Sequence, residues 1–143
     1  MSAEFPFIGT DITADNENEL PLFRELAWDF NTDAFLYDGN GQHIYVTGKD
    51  AVKVWIYKAL KTERFSYLAY SWQFGIELYP FINKVMGVQE RYSELKRVIT
   101  ECLMVNPYIV SIDGIEFTPE NKGEYVTTTV KLTTVYGEVS VDV

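Results

Sequence analysis

The sequence predicts an α+β fold in which helices pack on an antiparallel C-terminal β-meander, with short N-terminal strands ahead of the first helix. Three observations carry this. Residues 52–60 and 95–103 each hold an apolar stripe at helical spacing, and the last third of the chain is rich in Val, Ile, Tyr, Phe and Thr interrupted by turn residues. With 143 residues and 47% hydrophobic content, the chain suits one domain that buries about two thirds of the surface of its unfolded form. An aromatic share of 15% exceeds what a minimal core needs, so some rings are expected to serve contacts with other chains.

Residues 1–21 combine Phe5, Phe7 and Ile8 with the acidic, turn-rich run TDITADNENELP and show neither period. They read as an extended N-terminal arm that packs locally or on a neighbour, or as a frayed terminus. The domain proper is expected over residues 22–143. Leu26, Trp28 and Phe30 alternate with Ala27 and Asp29, the pattern of a half-buried strand. Phe35–Tyr37 and His43–Val46 are two short β-type runs, and Asp38-Gly39-Asn40-Gly41 between them favours a hairpin reversal.

Thr47 and Asp50 have the spacing of a capping box, so a helix should begin near Gly48. Val52, Trp55, Ile56, Ala59 and Leu60 then share one face. Phe65–Trp72 is an aromatic run without sustained alternation, either a short strand or a packed loop. Phe74, Leu78, Phe81, Ile82 and Val85 return to helical spacing, but Pro80 predicts a short helix broken or started there. The second long helix is expected from Val88 to about Val105, with Leu95, Val98, Ile99, Cys102 and Leu103 inward and Glu90, Arg91, Glu94, Arg97 and Glu101 in charge pairs outward. Asn106-Pro107 stops it. Strands follow at 108–117, 125–134 and 135–143, with reversals at 118–123 and at Tyr136-Gly137 and a bulge at Asp113-Gly114.

Composition narrows the chemistry. Acidic residues outnumber basic ones, 21 to 12, for a formal charge of -9. That field repels phosphate backbones and anionic bilayers, so neither nucleic acid nor membrane is an expected partner. The N-terminus lacks the basic and apolar regions of a secretory signal, and no apolar run approaches the ~20 residues of a membrane span. Asp38–Gly41 opens like a calcium loop, but Gln42 and Lys49 stand where ligands belong. Gly39 and Gly41 mimic a dinucleotide fingerprint until Ile44 replaces the third glycine. His43 is the single histidine and Cys102 the single cysteine, which leaves no zinc site; Cys102 reads as a small buried hydrophobe in a reducing compartment. No metal and no cofactor is expected. Paired carboxylates could still serve glycoside hydrolysis, because the chain has many.

Glu63 and Arg64 follow the first helix, just before the aromatic run. In one reading Arg64 complements the helix C-terminus and Glu63 is solvated. In the other, neighbouring rings hold the pair and present it to a partner.

An ordered set of motifs resembles a known family. A Trp28-Asp29-Phe30 strand precedes Val46, Gly48, Ala51, Trp55 and Ile56 at the helix start. Then come T-E-R-F-x-Y (Thr62–Tyr67), Y-S-x-x-F-G-x-E-L (Tyr70–Leu78), C-L-x-x-N-P-Y-I (Cys102–Ile109) and a terminal Y-G-E (Tyr136–Glu138). From Leu26 onward the chain resembles the XkdS-like proteins of PBSX-type prophages, which are contractile-tail baseplate proteins. More distantly, Thr62–Ile109 is similar to the small baseplate wedge subunit of T-even phages and its type VI secretion counterpart. Glu63, Arg64, Phe74 and Gly75 match that wider family, whereas Asn106-Pro107-Tyr108-Ile109 keeps only Pro107 and Ile109 of its E-P-R-I motif.

The resemblance implies an architectural protein rather than an enzyme, bridging the baseplate core to the first sheath ring in a virion or tail-like particle assembled in the bacterial cytoplasm. The implied partners are other wedge proteins and the tail sheath protein, with hub or tube proteins as further neighbours. Glu63, Arg64, Tyr67, Tyr70, Asn106, Pro107 and Tyr108 become candidate contacts. So does the last strand, with Val139, Val141 and Val143 on one face, if sheath subunits join by strand exchange. Deleting that strand is expected to abolish sheath assembly and leave the domain soluble. Relatives in the wider family carry a lysozyme label, so the alternative is a peptidoglycan-cleaving enzyme with a carboxylate pair.

Overall fold

In the computed structural model, which describes residues 20–66, 69, 71, 73–78, 85–123 and 125–143, four short strands precede the first helix. They are β1 (Arg24–Leu26), β2 (Trp28–Asp29), β3 (Ala34–Phe35) and β4 (Tyr45–Thr47). The alternation over Leu26–Phe30 is therefore not one strand but two. β1 pairs antiparallel with β4 and β2 with β3, and the chain changes partner at Ala27, whose N–H donates to Ile44 O (2.7 Å) and whose O accepts from Leu36 N–H (3.1 Å). Phe30 lies beyond the strand because the Asp29 carboxylate closes a turn, accepting from Asn31 N–H and Thr32 Oγ1, both at 2.9 Å. The reversal at Asp38–Gly41 forms as expected: Asp38 Oδ1 accepts from the amides of Asn40 and Gln42, and Tyr37 bridges His43.

Helix α1 spans Gly48–Lys61 and buries Ala51, Val52, Val54, Ile56, Tyr57, Ala59 and Leu60. It starts where the sequence places it, by a different device. Thr47 makes no side-chain bond to the first turn, so the capping box does not form. Gly48 instead takes φ +63 and donates its N–H to Phe23 O at 2.9 Å. A left-handed entry residue turns the Thr47 side chain away from the orphan amides, and one of them is satisfied by β1's approach instead.

Helix α2 spans Val88–Met104 and buries Val98, Ile99, Cys102 and Leu103, with Leu95 packed at the margin of the core. Arg97 pairs with Glu94 and Glu101 on the outer face, at 3.0 and 2.8 Å. The two helices meet at Cys102, whose Sγ lies 3.8 Å from Ala59 O. Burial pushes its thiol up to about 12, so it stays protonated and acts as packing.

The C-terminal sheet has order β5-β6-β7, all antiparallel: β5 (Ile109–Glu120), a 3-10 turn at Asn121–Gly123, β6 (Tyr125–Thr134) and β7 (Gly137–Asp142). The register of β5 slips between Ile112 and Gly114, where a bulge is expected, and also between Ile109 and Ser111. Asp113 anchors the first slip by accepting from Ser111 Oγ (2.9 Å) and Thr133 Oγ1 (2.6 Å). Val130, Leu132, Val139 and Val141 turn inward and join Val52, Ile56, Val98 and Leu103 in one core. Each such side chain stabilises the fold by about 1.5–3 kcal/mol. Residues 1–19 of the expected arm, and the short helix expected around Pro80, lie outside the described residues.

Candidate partner interface

The last strand is also an edge. Thr128 and Val143 exchange two main-chain hydrogen bonds, at 2.8 and 2.9 Å. From that pair the antiparallel alternation runs back through Val141, Val139 and Gly137, which bond to β6. The N–H and C=O groups of Glu138, Ser140 and Asp142 consequently point to the outer edge, where no described strand meets them. Side chains follow the same alternation. Val139 and Val141 are only 7% and 2% exposed, while those of Glu138, Ser140 and Asp142 stand on the solvent face. Beside this edge runs an open groove of about 370 Å³, bounded by Phe30, Lys53, Tyr57 and Lys61 on one side and Ser140–Val143 on the other.

A second unit joins the end of α1 to residues 73–78. Glu63 makes a parallel bridge with Ile76; Arg64 N–H donates to Ile76 O and Ile76 N–H to Thr62 O, both at 2.9 Å. The Glu63 carboxylate accepts from Leu78 N–H at 3.0 and 3.2 Å. Arg64 pairs with Glu77 at 3.0 Å and lies over the Phe65 ring, 4.6 Å from its centroid. Gly75 makes this possible. At φ +103, a β-carbon there would stand 2.7 Å from Thr62 O and 3.0 Å from the Arg64 backbone. Gly75→Ala is expected to destabilise the domain by about 1–3 kcal/mol from backbone strain alone, measured as a lowered urea midpoint at unchanged m-value.

Just beyond the C-terminus of α2, Asn106 is 5% exposed and its Oδ1 accepts from Tyr108 N–H at 2.9 Å. Tyr108 donates its hydroxyl to Pro21 O at 2.6 Å, and its ring meets Phe23 at 4.7 Å and Tyr136 at 6.2 Å. Phe23 N–H donates to Tyr136 Oη at 2.9 Å, which closes the corner. Pro107 is exposed and borders a groove of about 260 Å³ with Trp55, Phe74 and Val105.

A family model of contractile injection system sheath initiators matches residues 24–137. The chain belongs to the contractile injection system sheath initiator family. The match runs from β1 to the first residue of β7, so it takes in both helices and most of the sheet. No curated protein matches the chain at the sequence level. As a sheath initiator, the chain has a structural role in a contractile injection system.

The residues singled out by sequence fall into three groups in this sheath initiator, and the groove of Phe74 and Pro107 joins the first two. Glu63 and Arg64 bind the backbone and carboxylate of their own chain at residues 76–78, so Glu63 is not merely solvated. Asn106 and Tyr108 direct their polar atoms inward at the aromatic corner. Val139 and Val141 face the core, and what β7 can offer outward is main chain. Tyr67 and Tyr70 lie outside the described residues. Sequence reasoning did not single out Ser140 or the α1 residues Lys53, Tyr57 and Lys61 that border a groove with it. The signal was available: Lys49, Lys53, Tyr57 and Lys61 recur at a strict spacing of four along α1.

Proposed function

We propose that this sheath initiator starts the first sheath ring by accepting an extended segment of the tail sheath protein along the outer edge of β7. The single observation that supports this is the parity of β7: its core-facing valines hold the strand in place while three residues turn their main-chain groups outward. Strand addition suits an initiator. Each new main-chain bond contributes about 0.5–1.5 kcal/mol net, and the two-residue repeat fixes which face of the added strand points where. A rigid template of this kind passes a defined orientation from baseplate to sheath.

In this reading the rest of the molecule is the mount. The unit at Glu63, Arg64 and Gly75 and the exposed Pro107, set on the corner that Asn106 and Tyr108 brace from within, face other baseplate proteins. The hub or tube lies further inward, and the chain acts without catalysing a reaction. The test is a cross-link. Ser140→Cys, with Cys102 buried and unreactive, is expected to couple through a short thiol-directed photo-cross-linker to the sheath protein in assembled particles. Coupling to baseplate proteins alone would reject the proposal.

A further inference from the structure

We propose that the strand received at β7 carries acidic side chains at alternate positions on the face that meets α1, and that Lys49 and Lys53 select it. This rests on the reading of β7 as a template and adds the chemistry of its partner. The chain carries a formal charge of -9, yet the side of α1 along the open edge is basic. Lys49, Lys53, Tyr57 and Lys61 follow one another every four residues. Four residues of helix rise about 6 Å and two residues of strand about 6.6 Å. A strand laid beside α1 therefore brings one same-face side chain to each step.

Their placement along β7 agrees with this. Lys49 stands at the start of the strand, its Nζ 3.4 Å from where a Gly137 β-carbon would be. Lys53, Tyr57 and Lys61 border the groove with Ser140–Val143 at the other end. Helix and strand run in the same direction, so the basic row accompanies the whole edge. Among the described residues no carboxylate forms an ion pair with Lys49 or Lys53. Lys53 lies over the Phe30 ring, 5.7 Å from its centroid, on the groove side.

The far end of the row shows what it takes. Asp33 is seated there, accepting the Tyr57 hydroxyl at 2.7 Å and Lys61 Nζ at 3.1 Å. Those two hydrogen bonds, that from Tyr57 first, hold its carboxyl below the usual range. Lys61 is thus committed to its own chain, and Lys49 and Lys53 are left for an incoming segment. Lysines beside an edge can also serve simply to discourage pairing, and the two roles give opposite results.

The experiment uses the full chain and short strand peptides identical except that the side chains on one face are all Glu, all Gln or all Lys. Binding by fluorescence anisotropy is expected in the order Glu, Gln, Lys, with about a tenfold span from two exposed pairs of opposite against like sign, narrowing as salt is raised. Lys49→Glu with Lys53→Glu should reverse the order, and Lys49→Gln with Lys53→Gln should flatten it. Equal binding of the three series, or binding of none, overturns the proposal. Ser140→Pro separates it from the reading beneath: equal binding of the three series to the parent chain that is lost in Ser140→Pro keeps the β7 template and rejects the lysines, whereas unchanged binding in Ser140→Pro rejects both. A peptide of residues 10–19, whose Asp11, Asp15, Glu17 and Glu19 also alternate, is the remaining arm. Tighter binding of that peptide than of the Glu series gives the edge to this chain's own N-terminal segment and overturns the assignment to a partner.

Discussion

Ser140→Pro is expected to give a folded chain that no longer starts a sheath. The N–H of Ser140 points away from β6, so a proline ring there removes none of the hydrogen bonds that hold β7 to β6. Edge strands accept proline on the side that faces solvent, and the preceding Val139 is already extended, as a residue before proline prefers. The cost to stability should stay near 1 kcal/mol, the span of strand preferences. The cost to an incoming strand is much larger. It loses a donor at the centre of the edge and meets the ring where its own backbone must approach. Circular dichroism should match the parent while electron microscopy of reconstituted particles shows baseplates on bare tubes; Ser140→Thr should assemble normally.

Removing residues 137–143 is expected to unfold the domain. Val139 and Val141 are nearly inaccessible, and each stabilises the fold by about 1.5–3 kcal/mol. Losing both removes about 3–6 kcal/mol from a total that for a domain this size is about 5–15 kcal/mol. Further cost comes from Val130 and Leu132, fully buried on β6, which lose the strand beside them. The truncated chain should show no cooperative thermal transition and should collect in the insoluble fraction. A soluble domain after this truncation is what the sequence predicts; the burial of Val139 and Val141 predicts the opposite result. A truncation that fails to build sheath would then report misfolding rather than a missing template.

The reason lies in what alternation encodes. Val139, Val141 and Val143 announce a strand with one apolar face, but a period of two says nothing about whether that face meets a core or a partner. The helices were legible because their stripes at 52–60 and 95–103 are long and bounded by Gly48 and by Asn106-Pro107. The bulge at Asp113-Gly114 was legible too, since glycine inside a strand marks one. The capping box was not, because its outcome depends on Phe23, just ahead of β1, arriving to take the Gly48 amide. Likewise the break at Ala27 depends on Leu36 and Ile44, which are distant in sequence. At the candidate interface the sequence pointed to the last strand for its side chains, whereas the structure turns Val139 and Val141 inward and directs attention to the strand's outward main chain and to the lysines of α1. Glu63, Arg64 and Gly75 show the converse. Motifs read as separate contacts turn out to complete one another, with Gly75 letting the two backbones close to within hydrogen-bond distance.

The most direct measurement is a map of the assembled particle at a resolution that separates strands, centred on this chain. The account predicts a fourth strand beside β7, contributed by the sheath protein, with its main chain bonded at Glu138, Ser140 and Asp142 and its α1-facing side chains against Lys49 and Lys53. A β7 edge facing solvent, or covered by this chain's own residues, while the sheath grows from another surface, would contradict it.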